Sequence, residues 1–460
     1  MSDGFLLTNI VVLVAFIAIF VSLHITIFRW RRSAVHDPLT GLFNVEAFEK
    51  KGDRLLKMHQ KAEFAFVVLE YRNYVQVSSI YGFSRGGKMI RDIGREIRVL
   101  GHFLPGKMIG ARGFVNDFYI LYEMKKGETR DDFLSNFTQI MLTCRQQSLI
   151  DPDQKAGIVF VTENMVRERV SVLASQALYA KRDIEDDSSR SCSVFGDDLK
   201  KKYTVEQQIE SSFEKAVNNG EFYVVYQPQM NILTGKITGA EALARWKSPE
   251  YGELMPKQFI PVLEKNGQIE KLDFYVYTQV FEFIQRRLDA GLPVVPVSVN
   301  MSRSHLNATH FIDEFMNLFR RYRIPANLIR IEIIERSADE NRGLMQEITS
   351  GLQNRGFRVS IDDFGSGESS LNMLSQIPVD ELKIDQRFIS DAEQSEDSRE
   401  IISSIVSLAK KLRKKTVCEG VETENQFDFL RSIDCGEIQG FYFSRPLSEQ
   451  VFVKYMEQNR

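Results

Sequence analysis

Cysteine is scarce in this chain: four in 460 residues, at positions 144, 192, 418 and 435, and none in a CxxC pair. That spacing argues against a thiolate metal centre and against a disulfide framework, and favours the reduced thiols of a cytosolic setting. Net charge is nearly absent too. With 59 basic against 62 acidic residues, a formal charge of −3, nothing points to a nucleic-acid surface or an acidic tail. The remaining composition, 43% hydrophobic and 26% charged, is that of a globular protein too long for one ordinary core, so two or three domains are expected.

One stretch departs from this picture. FLLTNIVVLVAFIAIFVSLHITIF, Phe5 to Phe28, carries no formal charge with His24 neutral, and exceeds the ~20 residues that a helix needs to cross a bilayer. RWRR, Arg29 to Arg32, follows at once, whereas only Asp3 and the α-amino group precede it. The positive-inside bias then places everything after Arg29 in the cytoplasm. A cleaved signal peptide would have basic residues before the apolar run and small residues after it, and neither is present. Residues 1–32 are therefore expected to form a membrane anchor with a single transmembrane helix.

From residue 33 to 197 apolar strands mix with amphipathic helices. FAFVVLEY, GFVNDFYILY and GIVFVT read as strands, SQALYAKR reads as a helix, and the polar run DIEDDSSRS (183–191) has loop composition. From 198 to 460 short strands alternate with helical stretches. Strands are expected at EFYVVYQP, KITGAEALARW, VVPVSVN, IRIEIIE, RVSIDDF, ELKID, TVCEGVE and GEIQG. Eight strands over about 250 residues are what a TIM-like (β/α)8 barrel requires, with chemistry at the carboxyl ends of the strands. The fold class expected is thus α/β throughout. Side-chain alternation sets Val297 and Val299 against Ser298 and Asn300, Ile331 and Ile333 against Glu332, and Leu382 against Lys383. Glu241 and Glu419 share a face with apolar neighbours, so a bulge or an early strand end is expected at each. The basic run KKLRKK (410–415) reads as the solvated end of a barrel helix.

The polar residues ending these strands are Glu241, Asn300, Glu332, Asp362, Asp363, Lys383, Glu419 and Gln439. Most are carboxylates, and one is cationic. Brought together, that much negative charge calls for bound metal. An oxygen-only donor set without His or Cys selects a hard cation, Mg²⁺ or Mn²⁺, over zinc. Two such ions about 3.5–4 Å apart are the usual arrangement for phosphoester hydrolysis.

The motifs at these positions resemble the EAL family of cyclic di-GMP phosphodiesterases. They are YQP at Tyr226–Pro228, EALARW at Glu241–Trp246, Asn300, EIIE at Glu332–Glu335, DDFG at Asp362–Gly365, LKID at Leu382–Asp385, EGVE at Glu419–Glu422 and QG at Gln439–Gly440. The resemblance implies hydrolysis of cyclic di-GMP, with no nucleic-acid polymer as partner. It implies a first metal on Glu241, Asn300, Glu332 and Asp362, and a second on Asp362, Asp363 and Glu419. It gives Lys383 the role of orienting or deprotonating the attacking water, for which a pKa depressed beside two dications is expected. Arg245 is implied to contact substrate phosphate, and Gln227, Glu422 and Gln439 to contact substrate or water. Glu335 is implied to steady the loop after Asp363, a loop that couples the site to a homodimer through the EAL domain. Ser366 and Glu368 depart from the family's DDFGTGYSS. A receptor that binds cyclic di-GMP without cleaving it is the alternative, although such receptors lose ligands that are all present here.

Residues 33–197 resemble the GGDEF family of diguanylate cyclases in degenerate form. DPLTGLFN (37–44) and ALYAKR (177–182) are kept, but FVNDF (114–118) stands for the signature GGDEF. Phe114 and Val115 replace the glycines that let backbone approach the nucleotide. Glu70 stands for a metal-binding aspartate, Ser78 and Gly87 stand where guanine is read, and an inhibitory RxxD site is missing at 105–108. Cyclase activity is not expected. Together with the anchor, the resemblance implies a bacterial inner-membrane protein with both domains in the cytoplasm.

Overall fold

The computed structural model describes residues 34–104, 106–147, 153–162, 168–184, 190–307, 310–335, 342–365, 374, 376–393 and 395–459. The apolar run Phe5–Phe28, Ser366 and Glu368 lie outside them. Among the described residues no helix is long and apolar enough to cross a membrane. The chain divides into two compact units, one ending at Thr204 and the other beginning at Val205.

The first unit holds β1 (Phe64–Tyr71), β2 (Lys107–Arg112), β3 (Asp117–Glu123), β4 (Gln154–Val161) and β5 (Cys192–Val194), in the spatial order β2-β3-β1-β4-β5. Strand β1 pairs antiparallel with both β3 and β4. Its two faces feed two cores: Ala65, Val67 and Leu69 pack in one, Phe64, Phe66 and Val68 in the other. An apolar run without polar alternation is what a strand covered on both faces requires. The strand read over residues 113–122 begins later, at Asp117. Gly113 to Asn116 form a turn instead, closed by Gly113 N–H donating to Asp117 O (2.8 Å) and Asp117 N–H donating to Phe114 O (2.8 Å).

The second unit holds β6 (Phe222–Asn231), β7 (Ile237–Ser248), β8 (Gly252–Leu254), β9 (Val297–Met301), β10 (Ile329–Ile334), β11 (Arg358–Phe364), β12 (Glu381–Ile384), β13 (Lys415–Cys418), β14 (Glu437–Ile438) and β15 (Leu447–Ser448). Eight of these described strands close a ring in the order β6-β7-β9-β10-β11-β12-β13-β14, because β6 pairs with both β7 and β14. The ring departs from the all-parallel (β/α)8 pattern at one place: β6 runs antiparallel to both neighbours. The direction of a lone strand cannot be read from its alternation, which is the same both ways.

The outward faces of the ring are apolar. Val297, Val299, Ile329, Ile331, Ile333, Val359, Ile361, Leu382 and Ile384 are all fully buried in one core with Phe281 and Phe315 of the surrounding helices. The inward faces are polar and layered. Deep in the ring, Arg330 lies 3.2 Å from Glu381 and 3.4 Å from Glu437, and donates to Gln229 Oε1 at 2.9 Å. The KKLRKK run is the exposed end of the helix Glu396–Lys411 leading into β13, with Lys410 paired to Asp434 and Lys415 to Glu437.

Candidate active site

Above the Arg330 layer the inward-facing residues of six strands meet around one ammonium group. Lys383 on β12 is 1% exposed. Its Nζ lies 2.6 Å from Glu419, 2.8 Å from Glu332, 3.0 Å from Asp362 and 3.4 Å from Glu241. Glu241 is held further by Asn300 Nδ2 (3.2 Å) and by Gln439 Nε2 (2.6 Å), which also donates to Gln227 Oε1 at 3.2 Å. Because β6 is antiparallel, Gln227 reaches this layer from mid-strand, opposite Glu241.

Glu241 needs no bulge. The β6–β7 register runs unbroken past it from Trp246 to Gly239, while Ala240, Ala242 and Trp246 fill the outward core. Its apolar face-mate Leu243 lies on the same inward side by strand alternation and is only half-buried, outside the outward core. Glu419 meets the other expectation: β13 ends at Cys418, one residue earlier.

Consecutive strand residues point to opposite faces, so Asp362 and Asp363 should diverge. They do not, because the β11–β12 register shifts between Ile361 and Phe364 and Asp363 adopts φ 56°. That left-handed conformation, tolerable for aspartate, brings oxygens of Asp362, Asp363 and Glu419 within 4.8 Å of one another. Just beyond, Gly365 (φ 95°) donates its N–H to Glu335 Oε2 at 2.7 Å, and Glu335 is 1% exposed. The carboxylate thus fixes the start of the segment after the DDFG motif.

One ammonium cannot balance five carboxylates, and the titration of the cluster reflects it. Burial first, then the charges of Glu241 and Asp362, outweigh Lys383 and push Glu332 well above the usual range. Burial and neighbouring acids push Glu419 up to about 8, and burial with Asp362 and Asp385 pushes Asp363 up to about 6. Burial raises Glu241 as well, but Lys383, Gln439 and Asn300 reverse the sign and hold it low. Burial disfavours the Lys383 ammonium, yet Asp362, Glu241, Glu332 and Glu419 hold it well above the lysine range. The depressed value expected for this lysine beside two cations is the reverse of what the carboxylates alone impose. Asp362 Oδ1 and Glu419 Oε1, though at ion-pair distance from Lys383, accept no hydrogen bond of acceptable angle, and neither does Glu332 Oε1. Buried carboxylate oxygens left this way, gathered with surplus negative charge, fit a hard divalent cation held by Asp362, Asp363 and Glu419.

The remaining site residues lie at the edge of the cluster. Arg245 is half-buried, its Nη1 donating to Ala244 O, and burial lowers its pKa. Glu422 is exposed, outside the buried cluster, with its N–H donating to Gln426. Asp385, at the end of β12, caps the helix Gln386–Asp391 and pairs with Arg387 at 2.6 Å.

In the first unit Lys181 is buried between Asp117 (2.9 Å) and Glu70 (3.0 Å). Asn116 Nδ2 donates to Tyr71 O and Glu70 Oε1 at 2.9 and 3.3 Å. The acids and the lysine that a nucleotide site would offer to metal and phosphate are thereby spent on one another. Val115 sits at φ 46°. For a β-branched residue that costs on the order of 1–2 kcal/mol, where glycine would sit free.

Comparison with known proteins agrees with this division. The EAL domain model matches residues 210–446, and the diguanylate cyclase GGDEF domain model matches residues 34–187. Cyclic di-GMP phosphodiesterase NbdA of Pseudomonas aeruginosa is 28% identical over 441 residues, 94% of this chain and 55% of the relative. Bifunctional diguanylate cyclase/cyclic di-GMP phosphodiesterase MucR of the same organism is 28% identical over 429 residues, 91% of this chain and 61% of the relative. The chain thus spans little more than half the length of these curated relatives. Among solved structures, the PaMucR phosphodiesterase in complex with c-di-GMP is 33% identical, with TM-score 0.51 over 53% of this chain and 99% of that one. The Vibrio cholerae LapD S helix-GGDEF-EAL structure, 19% identical, shares the fold at TM-score 0.58 over 92% of this chain and 99% of that one. The chain belongs to the EAL domain family and carries a GGDEF domain ahead of its EAL domain.

Proposed function

We propose that the protein is a membrane-anchored phosphodiesterase that hydrolyses cyclic di-GMP to linear pGpG. The observation that carries this reading is the convergence of Glu241, Glu332, Asp362, Asp363 and Glu419 around Lys383. Bound Mg²⁺ or Mn²⁺ would supply a water of lowered pKa and would stabilise both oxygens of an in-line displacement. Glu241, Asn300, Glu332 and Asp362 are assigned to one cation, and Asp362, Asp363 and Glu419 to a second. Lys383 holds its proton among the carboxylates and is placed to hydrogen-bond the attacking water. Arg245 offers a planar fork of donors to a substrate phosphate. Gln439 donates to Glu241 and to Gln227, and both glutamines are assigned to substrate or water contact; Glu422 stands at the rim for substrate, and Glu335 fixes the backbone after Asp363. That segment is assigned to a homodimer contact of the EAL domain.

The test is product analysis with the full chain. Cyclic di-GMP with Mg²⁺ or Mn²⁺ is expected to yield linear pGpG. Ca²⁺ should support far less, because its longer, looser coordination spoils bimetallic spacing. Binding without product would favour the receptor reading instead.

The apolar run Phe5–Phe28 with RWRR after it supports a single pass through a bacterial inner membrane, the two domains facing the cytoplasm. The GGDEF domain is assigned no cyclase activity and no GTP site, since Lys181 is committed to Glu70 and Asp117 and the glycine positions carry Phe114 and Val115. GTP is therefore expected to leave cyclic di-GMP turnover unchanged and to give no calorimetric signal at micromolar concentration. Clear stimulation would show that the pocket survives.

A further inference from the structure

The turn that replaces the nucleotide-binding loop carries its apolar side chains outward. Phe114 is 74% exposed, and Val115, 57% exposed, sits in a left-handed backbone conformation that favours glycine. Neither residue fills a core. The turn also lies beside the point where the chain enters the domain. Arg112 bridges the two, its Nη1 3.3 Å from Asp37 Oδ2 and its Nη2 donating to Val115 O at 3.2 Å. Asn44 fixes the entering segment, its N–H donating to Val35 O and its Nδ2 to Ala34 O. Val35, 38% exposed, adds a third apolar side chain to the same region.

Residues 33–36 alone separate Asp37 from RWRR and the apolar run before it. Even fully extended, that connection reaches no more than about 17 Å. We propose that the Phe114–Val115 turn is a second membrane contact, inserting into the interface of an anionic bilayer beside the anchor. This rests on the reading that Phe5–Phe28 spans the membrane. Exposed Phe114 and Val115, in a domain joined through so short a connection to the basic run RWRR, match the chemistry of a lipid surface, apolar below and anionic at the headgroups. The family's glycines would give no such purchase. A loop that once cradled phosphates would here orient the domain on the membrane.

The experiment uses the full chain in vesicles of phosphatidylethanolamine and phosphatidylglycerol. Cys144→Ser and Cys192→Ser are introduced first, leaving only the buried Cys418 and Cys435 as native thiols. A nitroxide is placed in turn by Phe114→Cys, Ile17→Cys and Met58→Cys, and its collisions with oxygen and with a nickel chelate are compared. Met58 is 68% exposed and precedes His59, which pairs with Glu123 at the far end of β3 from the turn. Oxygen-rich, nickel-poor signals at 114 and 17, with nickel access at 58, are expected. Nickel access at 114, or shielding there from both reagents as against a second copy or the chain's own residues, overturns the proposal while position 17 in lipid keeps the anchor. Lipid contact at 58 as well as at 114 also overturns it, as general adsorption. Nickel access at 17 overturns the anchor and the proposal together.

Discussion

Replacing Lys383 by methionine is expected to lower cyclic di-GMP turnover by roughly 10²–10³-fold, the range for loss of one hydrogen-bond donor preorganised at the reacting oxygen. The same change should reveal the charge it balances. Four carboxylates lie within 3.4 Å of its Nζ. Without the ammonium and without divalent cation, those acids must take up protons or separate, and removing one partner of a buried pair costs about 3–5 kcal/mol. Added Mn²⁺ should restore much of that stability but not the turnover. Thermal unfolding of Lys383→Met with and without Mn²⁺, set beside its hydrolysis rate, checks both. If stability is unchanged in chelator, Lys383 is not the counter-ion of the cluster.

Arg330→Met is expected to be among the most destabilising single changes in the EAL domain. Arg330 is 1% exposed, and its guanidinium is shared by Glu381 and Glu437. Burial raises the Glu381 pKa, and Arg330 is the strongest of the nearby cations pulling against that rise. Methionine fills the volume but leaves two buried carboxylates facing each other, with Lys415 on one side of Glu437. A loss of about 3–5 kcal/mol corresponds to a melting point lower by roughly 10 °C for a unit of this size. The triple change Arg330→Met, Glu381→Leu, Glu437→Leu should recover a good part of it, because the cost lies in the unpaired charge. Equal melting points for wild type and Arg330→Met would show the network to be dispensable.

The site was more legible in the sequence than the scaffold beneath it. Acidic residues at successive strand ends mark a mouth, since each motif supplies both the residue type and its place. The Arg330 layer carries the same signal, because Arg330 alternates with Ile331 and shares a face with Glu332, as Glu381 does with Lys383 and Glu437 with Gln439. Alternation reports which face a residue takes but not its depth, so one polar layer could not be told from two. The direction of β6 and the turn at Asp363 were hidden for related reasons. The first is a pairing between distant segments, and the second is a local left-handed residue that aspartate accepts without announcing it. The bulge expected at Glu241 does not form, because its apolar face-mate Leu243 is only half-buried and no part of the outward core, so sharing a face with it sets no conflict.

The central claim is that the acidic cluster binds divalent cations and that these are needed for hydrolysis. Its most direct test is to count Mn²⁺ bound per chain by calorimetry, in the presence of a non-hydrolysable cyclic di-GMP analogue, for the wild type and for Glu241→Ala, and to measure turnover of cyclic di-GMP on the same preparations. Two Mn²⁺ per wild-type chain, fewer in Glu241→Ala, and turnover lower by orders of magnitude in a folded variant are the results expected. Full turnover by Glu241→Ala, or hydrolysis by the wild type with no Mn²⁺ or Mg²⁺ bound, would contradict it.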